Sequence, residues 1–589
     1  MTVARVPGVF FLIAGHGLFA MPRSLSFLIA RWPAWDAAVR LGYLRIALIG
    51  GLHLTAIVLL KVNGGDLLEN LVFALTWGFL NFFWIVVLRR PLVSAALSLA
   101  MITMIMLVSQ LKYKIVWMTA NFLDVWIVNA DSLHYLLSIK PDLYRDVLIG
   151  GTAFLLVIGL FWWIDHFRVR RRAALAGFAA CFIGLSGVSL AFPMLEWEAF
   201  VGTAHVSKFV RSGIVAISEV LQNGYLDSAE SVPDRPKLAP AATCTPSGKP
   251  PHIILIHDES SFDLRAAPGV RVPAGYGGHF QSFDGKSRHF IAEGTGGPSW
   301  FTEYNVLSGL AARSFGRLSY YVTHIAAGRV ERGLPKALQR CGYRTFSIYP
   351  ASGAFMSAKA FQTTAGVDKF VDQRALGTNR IEPDRFYYDA SLRMIERERG
   401  RGPMFLFVYL AQNHYPWNYR RRPDLLPEWK APGNDSIVDE YLRRQELSFR
   451  DYAALLDRLR RDFPGESFLL VRYGDHQPDF AVSLLEPSIG DDERAKRLLS
   501  HDPRYYTTYY AIDAVNFRPV NLSSALDPIE GPYLPLIVQE AAGLPLDPSF
   551  SEQKRILVRC NGLFYGCADG AEARRFNRLL IDAGLIKGL

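Results

Sequence analysis

Apolar positions are unevenly distributed along the chain, and the unevenness divides it in two. Before residue 195 they form long unbroken runs; beyond it they alternate with polar residues in short periods. Five early runs approach or reach the ~20 residues that a bilayer-crossing helix needs: 41–60, 69–88, 91–108, 147–164 and 173–194. A shorter run, VFFLIAGHGLFA at 9–20, is broken by Met21-Pro22-Arg23 and predicts an interfacial or re-entrant piece, with a sixth span as the alternative. Its weak charged flank and weak small-residue cleavage site argue against a cleaved signal peptide. Between the third and fourth runs, residues 109–146 mix Trp117, Phe122, Trp126 and Tyr135 with charges. That mixture suits a helix lying in the outer interface, or a plain connecting loop.

Val206, Val210, Ile214, Ile217 and Leu221 then mark one face of an amphipathic helix, followed by a Pro/Ala/Ser-rich linker at 228–250. From 251 the pattern becomes one of buried strands alternating with helices. The strand-like runs are IILI (253–256), RTFSIYP (344–350), MFLFVYL (404–410) and FLLVRY (468–473). Such alternation predicts an α/β sandwich around a largely parallel sheet. The expected organisation is a transmembrane domain of about five helices over 1–195, an amphipathic helix and linker over 196–250, a catalytic domain over 251–545, and a C-terminal extension over 546–589.

Charge adds an orientation. Arg5, Arg23, Arg31 and Arg40 precede the first span, Arg89 and Arg90 separate the second from the third, and Arg168, Arg170, Arg171 and Arg172 lie between the fourth and fifth. The 63–66 loop is poor in basic residues. The positive-inside rule then predicts five crossings with the N-terminus inside and everything after 195 outside. The net charge of +10 is partly explained by these loops, so it gives no reason to expect a nucleic-acid partner. Cys181 falls within a span, whereas Cys244, Cys341, Cys560 and Cys567 fall in the exported part, where Cys560–Cys567 predicts a short-loop disulfide.

Three predicted strands end in polar clusters: His257-Asp258-Glu259-Ser260, Gln412-Asn413-His414 and Gly474-Asp475-His476. Functional groups collect beyond the carboxyl ends of strands in open α/β sheets, and Glu259, Asp475 and His476 form an O/N donor set suited to Zn²⁺ or Mn²⁺. The segment EGTGGPSWFTEYNVLSG, 293–309, offers a hydroxyl: Pro298 favours a helix start, placing Ser299 at or near its N-terminus, where anions are stabilised. Thr295 and Thr302 are rival hydroxyls, Ser299 could be no more than a cap, Asp258 could replace Glu259, and His414 could be satisfied by Asn413 or backbone.

These residues carry a resemblance. Glu259-Ser260 after the first strand, Ser299 at a helix start, Asn413-His414-Tyr415-Pro416-Trp417, and Gly474-Asp475-His476 resemble the sulfatase-like branch of the alkaline phosphatase superfamily. More narrowly, with five preceding spans, the chain resembles the lipoteichoic acid synthase and membrane phosphoglycerol transferase family, relatives of the phosphoethanolamine transferases. The resemblance implies an α-helical transmembrane domain followed by an extracytoplasmic α/β sulfatase-like (alkaline phosphatase-like) domain. It implies one divalent metal ion, Mn²⁺ or Zn²⁺, on Glu259, Ser299, Asp475 and His476. Ser299 is the implied nucleophile, where relatives usually carry Thr, and His414 would meet the phosphate or leaving group, with Lys359 and Trp417 also at the substrate.

The implied reaction is a bacterial inner-membrane one, on the periplasmic or extracellular side. A headgroup, phosphoglycerol from phosphatidylglycerol in the favoured case or phosphoethanolamine from phosphatidylethanolamine in the alternative, passes through phosphoserine to a glycan or glycolipid acceptor. One departure is visible. Where lipoteichoic acid synthases carry a His, then a Trp and an Arg, residues 349–361 read YPASGAFMSAKAF, so Tyr349 or Pro350, Met356 and Ala358 stand there and only Lys359 is cationic. This favours a single decorating transfer over a long polymer. A phosphodiesterase or sulfatase is the enzymatic alternative, but Ser299 is followed by Trp-Phe-Thr and not by the Pro-x-Arg context of formylglycine formation. A non-catalytic binding module is opposed by retention of Glu259, Ser299, Asp475 and His476 together. Arg420, Arg421 and Arg422 are either an attractor for anionic lipid or glycan or a solvated face.

Overall fold

The computed structural model describes residues 37–116, 118–127, 137, 142–195, 198–199, 201–229, 238, 244–246 and 248–589. The 9–20 run, Trp117, Tyr135 and most of the 228–250 linker lie outside them. Five helices are long and apolar enough to cross a membrane: α1 (Ala37–Asn63), α2 (Leu67–Leu88), α3 (Pro91–Val116), α4 (Asp142–Ile164) and α5 (Arg171–Ala191). All five expected runs become helices. The third extends past its apolar run, because SQLKYKIV at 109–116 continues the helix. Its start is fixed chemically: Pro91 fills the first turn, and the Asp165 carboxylate accepts from the Leu92 and Val93 amides at 2.8 and 3.2 Å.

The contacts divide the chain into two compact units. One contains 1–62, 77–103 and 151–181; the other contains 63–76, 104–150 and 182–589. In the second, α6 (His205–Asn223) is the expected amphipathic helix. Beyond the linker an eight-stranded sheet runs β4-β3-β5-β1-β6-β7-β2-β8. Its strands are β1 (His252–Asp258), β2 (Arg288–Ile291), β3 (Arg344–Ile348), β4 (Lys369–Val371), β5 (Met404–Tyr409), β6 (Phe468–Gly474), β7 (Thr507–Val515) and β8 (Ile529–Glu530). The half from β4 to β6 is parallel, as expected, whereas β7 is antiparallel to both β6 and β2. The sheet is therefore mixed.

Every residue of β1, β5 and β6 is buried, which is why these strands read as continuous apolar runs and not as alternations. Successive side chains enter opposite cores. Ile253, Leu255, Phe405, Phe407, Leu469 and Val471 face α7 (Ser299–Ser308). Ile254, Ile256, Leu406, Val408 and Leu470 face α8 (Asp384–Glu398) and α9 (Ser436–Asp462). Helices α10 (Pro548–Arg559) and α11 (Ala571–Asp582) place Phe550, Ile556, Leu557, Phe576 and Leu580 in the same core as α7. The expected C-terminal extension is thus part of the catalytic domain's core. It carries the expected Cys560–Cys567 disulfide, and a second bond joins Cys244 to Cys341.

Arg332 rivets α10 to the end of α7. Its buried guanidinium donates to the Ser308 carbonyl (2.6 Å), Ser549 Oγ (3.0 Å) and Gln553 Oε1 (2.5 Å), and lies 3.9 Å over the Phe550 ring. Arg332→Met leaves these acceptors unpaired and is expected to cost at least about 2 kcal/mol, measured as a lowered thermal midpoint of the full chain in detergent. Within α7, Glu303 accepts from Gln362 Nε2 at 2.9 Å, and burial pushes its carboxyl up to about 7. The unfolded chain releases this proton near 4.5, so stability falls as pH rises between those values. Glu303→Gln is expected to gain up to about 3 kcal/mol over wild type at pH 8 and little at pH 5, read from thermal midpoints at both.

Candidate metal centre

Three loops at the carboxyl ends of β1 and β6 and at the start of α7 converge. Glu259, Asp475 and His476, all buried, each offer one donor atom, and these atoms lie within 4.8 Å of one another. The Ser299 hydroxyl, on the first residue of α7, stands 3.3 Å from Glu259 Oε2 and 3.2 Å from His476 Nε2. The four residues expected at the metal are therefore brought together.

The backbone explains the placement. Gly296 and Gly297 take φ of 70° and 153°, which lets the loop turn sharply into Pro298 and deliver Ser299 to the helix start. At Gly474 a Cβ would sit 2.0 Å from the Ser261 carbonyl oxygen, so only glycine lets β6 end against the β1 loop. Ser260 is held at φ 51°, an uncommon conformation for a non-glycine residue. Its amide donates to Asp475 Oδ1 at 2.6 Å, and its carbonyl accepts from Tyr441 Oη at 2.7 Å.

Charge dictates what the pocket can hold. Burial works to raise the Asp475 carboxyl, but His476 and His257 outweigh it and hold it below the usual carboxylate range. Burial likewise opposes protonation of His476, and the Asp475 and Glu259 carboxylates reverse that and raise it. Two buried carboxylates, with His476 between them and His257 against Asp475, favour added positive charge. A divalent cation fits this donor set of two carboxylates, an imidazole and a hydroxyl.

The alternatives resolve by geometry. Asp258 is committed elsewhere, accepting from Tyr509 Oη at 2.5 Å with His279 at 3.4 Å. Thr302 Oγ1 donates to the Asp475 carbonyl at 2.6 Å, and Thr295 Oγ1 is buried in the loop without a partner. Neither touches the donor set in the way Ser299 does.

The residues expected at the substrate are placed differently. His414 is exposed, with Nδ1 on the Tyr415 carbonyl at 2.7 Å. Lys359 is exposed near the start of the 358–365 helix. Trp417 needs correcting as a substrate contact: it is 3% exposed, donates to the Asn413 carbonyl at 3.0 Å, and packs on Tyr415, Tyr441 and Phe480. It supports the His414 loop from beneath. The arginine run is also less open than a free patch. Arg421 donates to the Gln412 and Tyr415 carbonyls and Arg422 pairs with Asp424.

The sequence reading missed what anchors this loop. On α9, buried Arg444 donates to the His414 and Pro416 carbonyls, both at 2.8 Å, and Glu440 bridges it to buried Arg443. Their only signal was the adjacent pair Arg443-Arg444 within α9, which nothing in the sequence marks as buried.

Residues 295–504 match the sulfatase family model. That match includes Ser299, His414, Asp475 and His476. No curated protein sequence matches the chain. Among solved structures, the lipoteichoic acid synthase LtaP from Listeria monocytogenes is 16% identical, covering 50% of this chain and 72% of that one at a TM-score of 0.38. Streptococcus pyogenes phosphoglycerol transferase GacH, in complex with sn-glycerol-1-phosphate, is 16% identical over 58% of this chain and 88% of its own, at 0.44. The integral membrane lipooligosaccharide phosphoethanolamine transferase A from Neisseria meningitidis is 12% identical over 82% and 96%, at 0.38.

The centre is tested without turnover. A divalent ion is expected to co-purify with the wild-type chain and to be absent from Glu259→Gln and Asp475→Asn, read by elemental analysis.

Proposed function

We propose that the protein is a membrane-bound, metal-dependent phosphotransferase that moves a phospholipid-derived headgroup, phosphoglycerol in the first instance, to a glycan or glycolipid outside the cytoplasmic membrane. The observation that carries this reading is the Ser299 hydroxyl, fixed at a helix start and in contact with both Glu259 and His476. A hydroxyl so placed is a nucleophile, and the helix N-terminus behind it favours an approaching phosphate. The five apolar helices that precede the domain supply the reason for a lipid donor.

In this reaction the Ser299 Oγ–phosphorus bond forms as the bond from phosphorus to the diacylglycerol oxygen breaks. An acceptor hydroxyl then displaces Ser299 and regenerates it. Bound by Glu259, Asp475 and His476 with Ser299, a Mn²⁺ or Zn²⁺ ion would neutralise phosphoryl charge and ease loss of the serine proton. His414, with Nδ1 turned to backbone, presents Nε2 as the nitrogen able to meet the phosphate or the departing oxygen. Lys359 is the cation we place near the headgroup.

The test uses the full chain in liposomes with labelled phosphatidylglycerol or, separately, phosphatidylethanolamine, following diacylglycerol release. Release from phosphatidylglycerol is expected, abolished by EDTA, and reduced to background in Ser299→Ala. Release from phosphatidylethanolamine alone would reassign the headgroup, and release unchanged in Ser299→Ala would overturn the nucleophile.

A further inference from the structure

Beneath the metal centre lies a row of side chains to which the reaction assigns nothing. The register of the sheet pairs His257 of β1 with Tyr409 of β5 on one side and with Tyr473 of β6 on the other. Three adjacent strands thus present Tyr409, His257 and Tyr473 side by side, one residue layer below the loops that carry Glu259 and Asp475. The His257 ring lies 4.1 Å from the Tyr409 ring and 5.2 Å from that of Tyr473, and His257 and Tyr473 are fully buried.

Each member of the row ends on something that matters. Tyr409 Oη donates to Glu259 Oε2 at 2.9 Å, the same oxygen that receives the Ser299 hydroxyl. Ser260 Oγ occupies the other oxygen, Oε1, at 2.7 Å. Asp475 Oδ1 is filled by two amides, those of Ser260 (2.6 Å) and His476 (2.8 Å), so its Oδ2 is the oxygen left to give, and His257 Nε2 stands 3.2 Å from it. Tyr473 Oη lies 2.8 Å from His257 Nδ1.

We propose that Tyr409, His257 and Tyr473 are positioning residues that set the affinity of the centre for a divalent cation, Tyr409 by fixing Glu259 and His257 by fixing Asp475. Tyr473 donates to His257 Nδ1, which leaves the proton on Nε2 and makes His257 a donor to Asp475 Oδ2. When the Ser299 hydroxyl turns away from Glu259, Tyr409 still satisfies Oε2, so the carboxylate keeps its rotamer. Outer partners of this kind typically change metal affinity by about 10–100-fold.

The inference rests on the metal-centre reading, and the experiment separates the two. Full-length protein in detergent, stripped of metal and free of lipid substrate, is titrated with Mn²⁺ and with Zn²⁺ in competition with a fluorescent chelator. Tyr409→Phe and His257→Gln are each expected to weaken binding about 10–100-fold. Tyr509→Phe is the control: it deletes an equally buried hydrogen bond, to Asp258, that reaches no donor of the centre, and it should bind like wild type. Tyr409→Phe, which loses only a hydroxyl, carries the test alone if His257→Gln does not fold. Affinities within twofold of wild type in Tyr409→Phe, or an equal weakening in Tyr509→Phe, would overturn this inference while leaving the centre standing. A wild-type chain that binds neither ion would remove both.

Discussion

Two carboxylates, Glu259 and Asp475, are buried against each other, with the His476 ring between them and His257 against Asp475, and much of the surrounding domain exists to make that bearable. Removing ionised groups from water costs several kcal/mol each unless they are paired and hydrogen-bonded. Here the compensation is distributed: two amides on Asp475, two side-chain hydroxyls and the Ser299 hydroxyl on Glu259, and the His476 ring between them. What remains uncompensated is net negative charge. A site built this way is selective for a cation before any substrate arrives, because the protein has already met the cost of keeping water out.

The surrounding architecture follows from that demand. The carboxylates meet because β1 and β6 are adjacent and parallel, so their last residues rise on the same edge of the sheet. Gly474 lets the β1 and β6 loops close on one another, Ser260 accepts an unfavourable backbone conformation to aim its amide, and α7 begins where the hydroxyl is required. Around the rim, Arg444 and Trp417 shape the His414 loop from below. Rigid elements hold the donors, while His414 and Lys359 are exposed.

Much of this was legible in the sequence. Continuous apolar runs ending in polar triplets located β1, β5 and β6 and the residues beyond them, since a strand buried on both faces has no other way to look. The spans were legible for the same reason. The antiparallel half was not: TTYYAIDAV at 507–515 mixes tyrosine, threonine and aspartate, and its direction depends on pairing partners that lie far away in the chain. Tyr409 was also hidden. A tyrosine closing an apolar run reads as core, and only the lateral register of three strands shows that its hydroxyl meets a carboxylate. Trp417 erred in the opposite direction: an aromatic beside a reactive histidine suggested contact with substrate, but the fold turned its indole inward.

The packing of α10 and α11 against α7 has a consequence in time. Both helices leave the ribosome long after α7 has been made, yet they supply part of the core on which it rests. Until they dock, α7 lacks Gln553 and Ser549 as partners for Arg332, and core surface that belongs in the interior stays open to solvent. Ser299 is therefore assembled into its final setting only late in synthesis. An incomplete chain would carry the hydroxyl and the carboxylates without the scaffold that makes them a site.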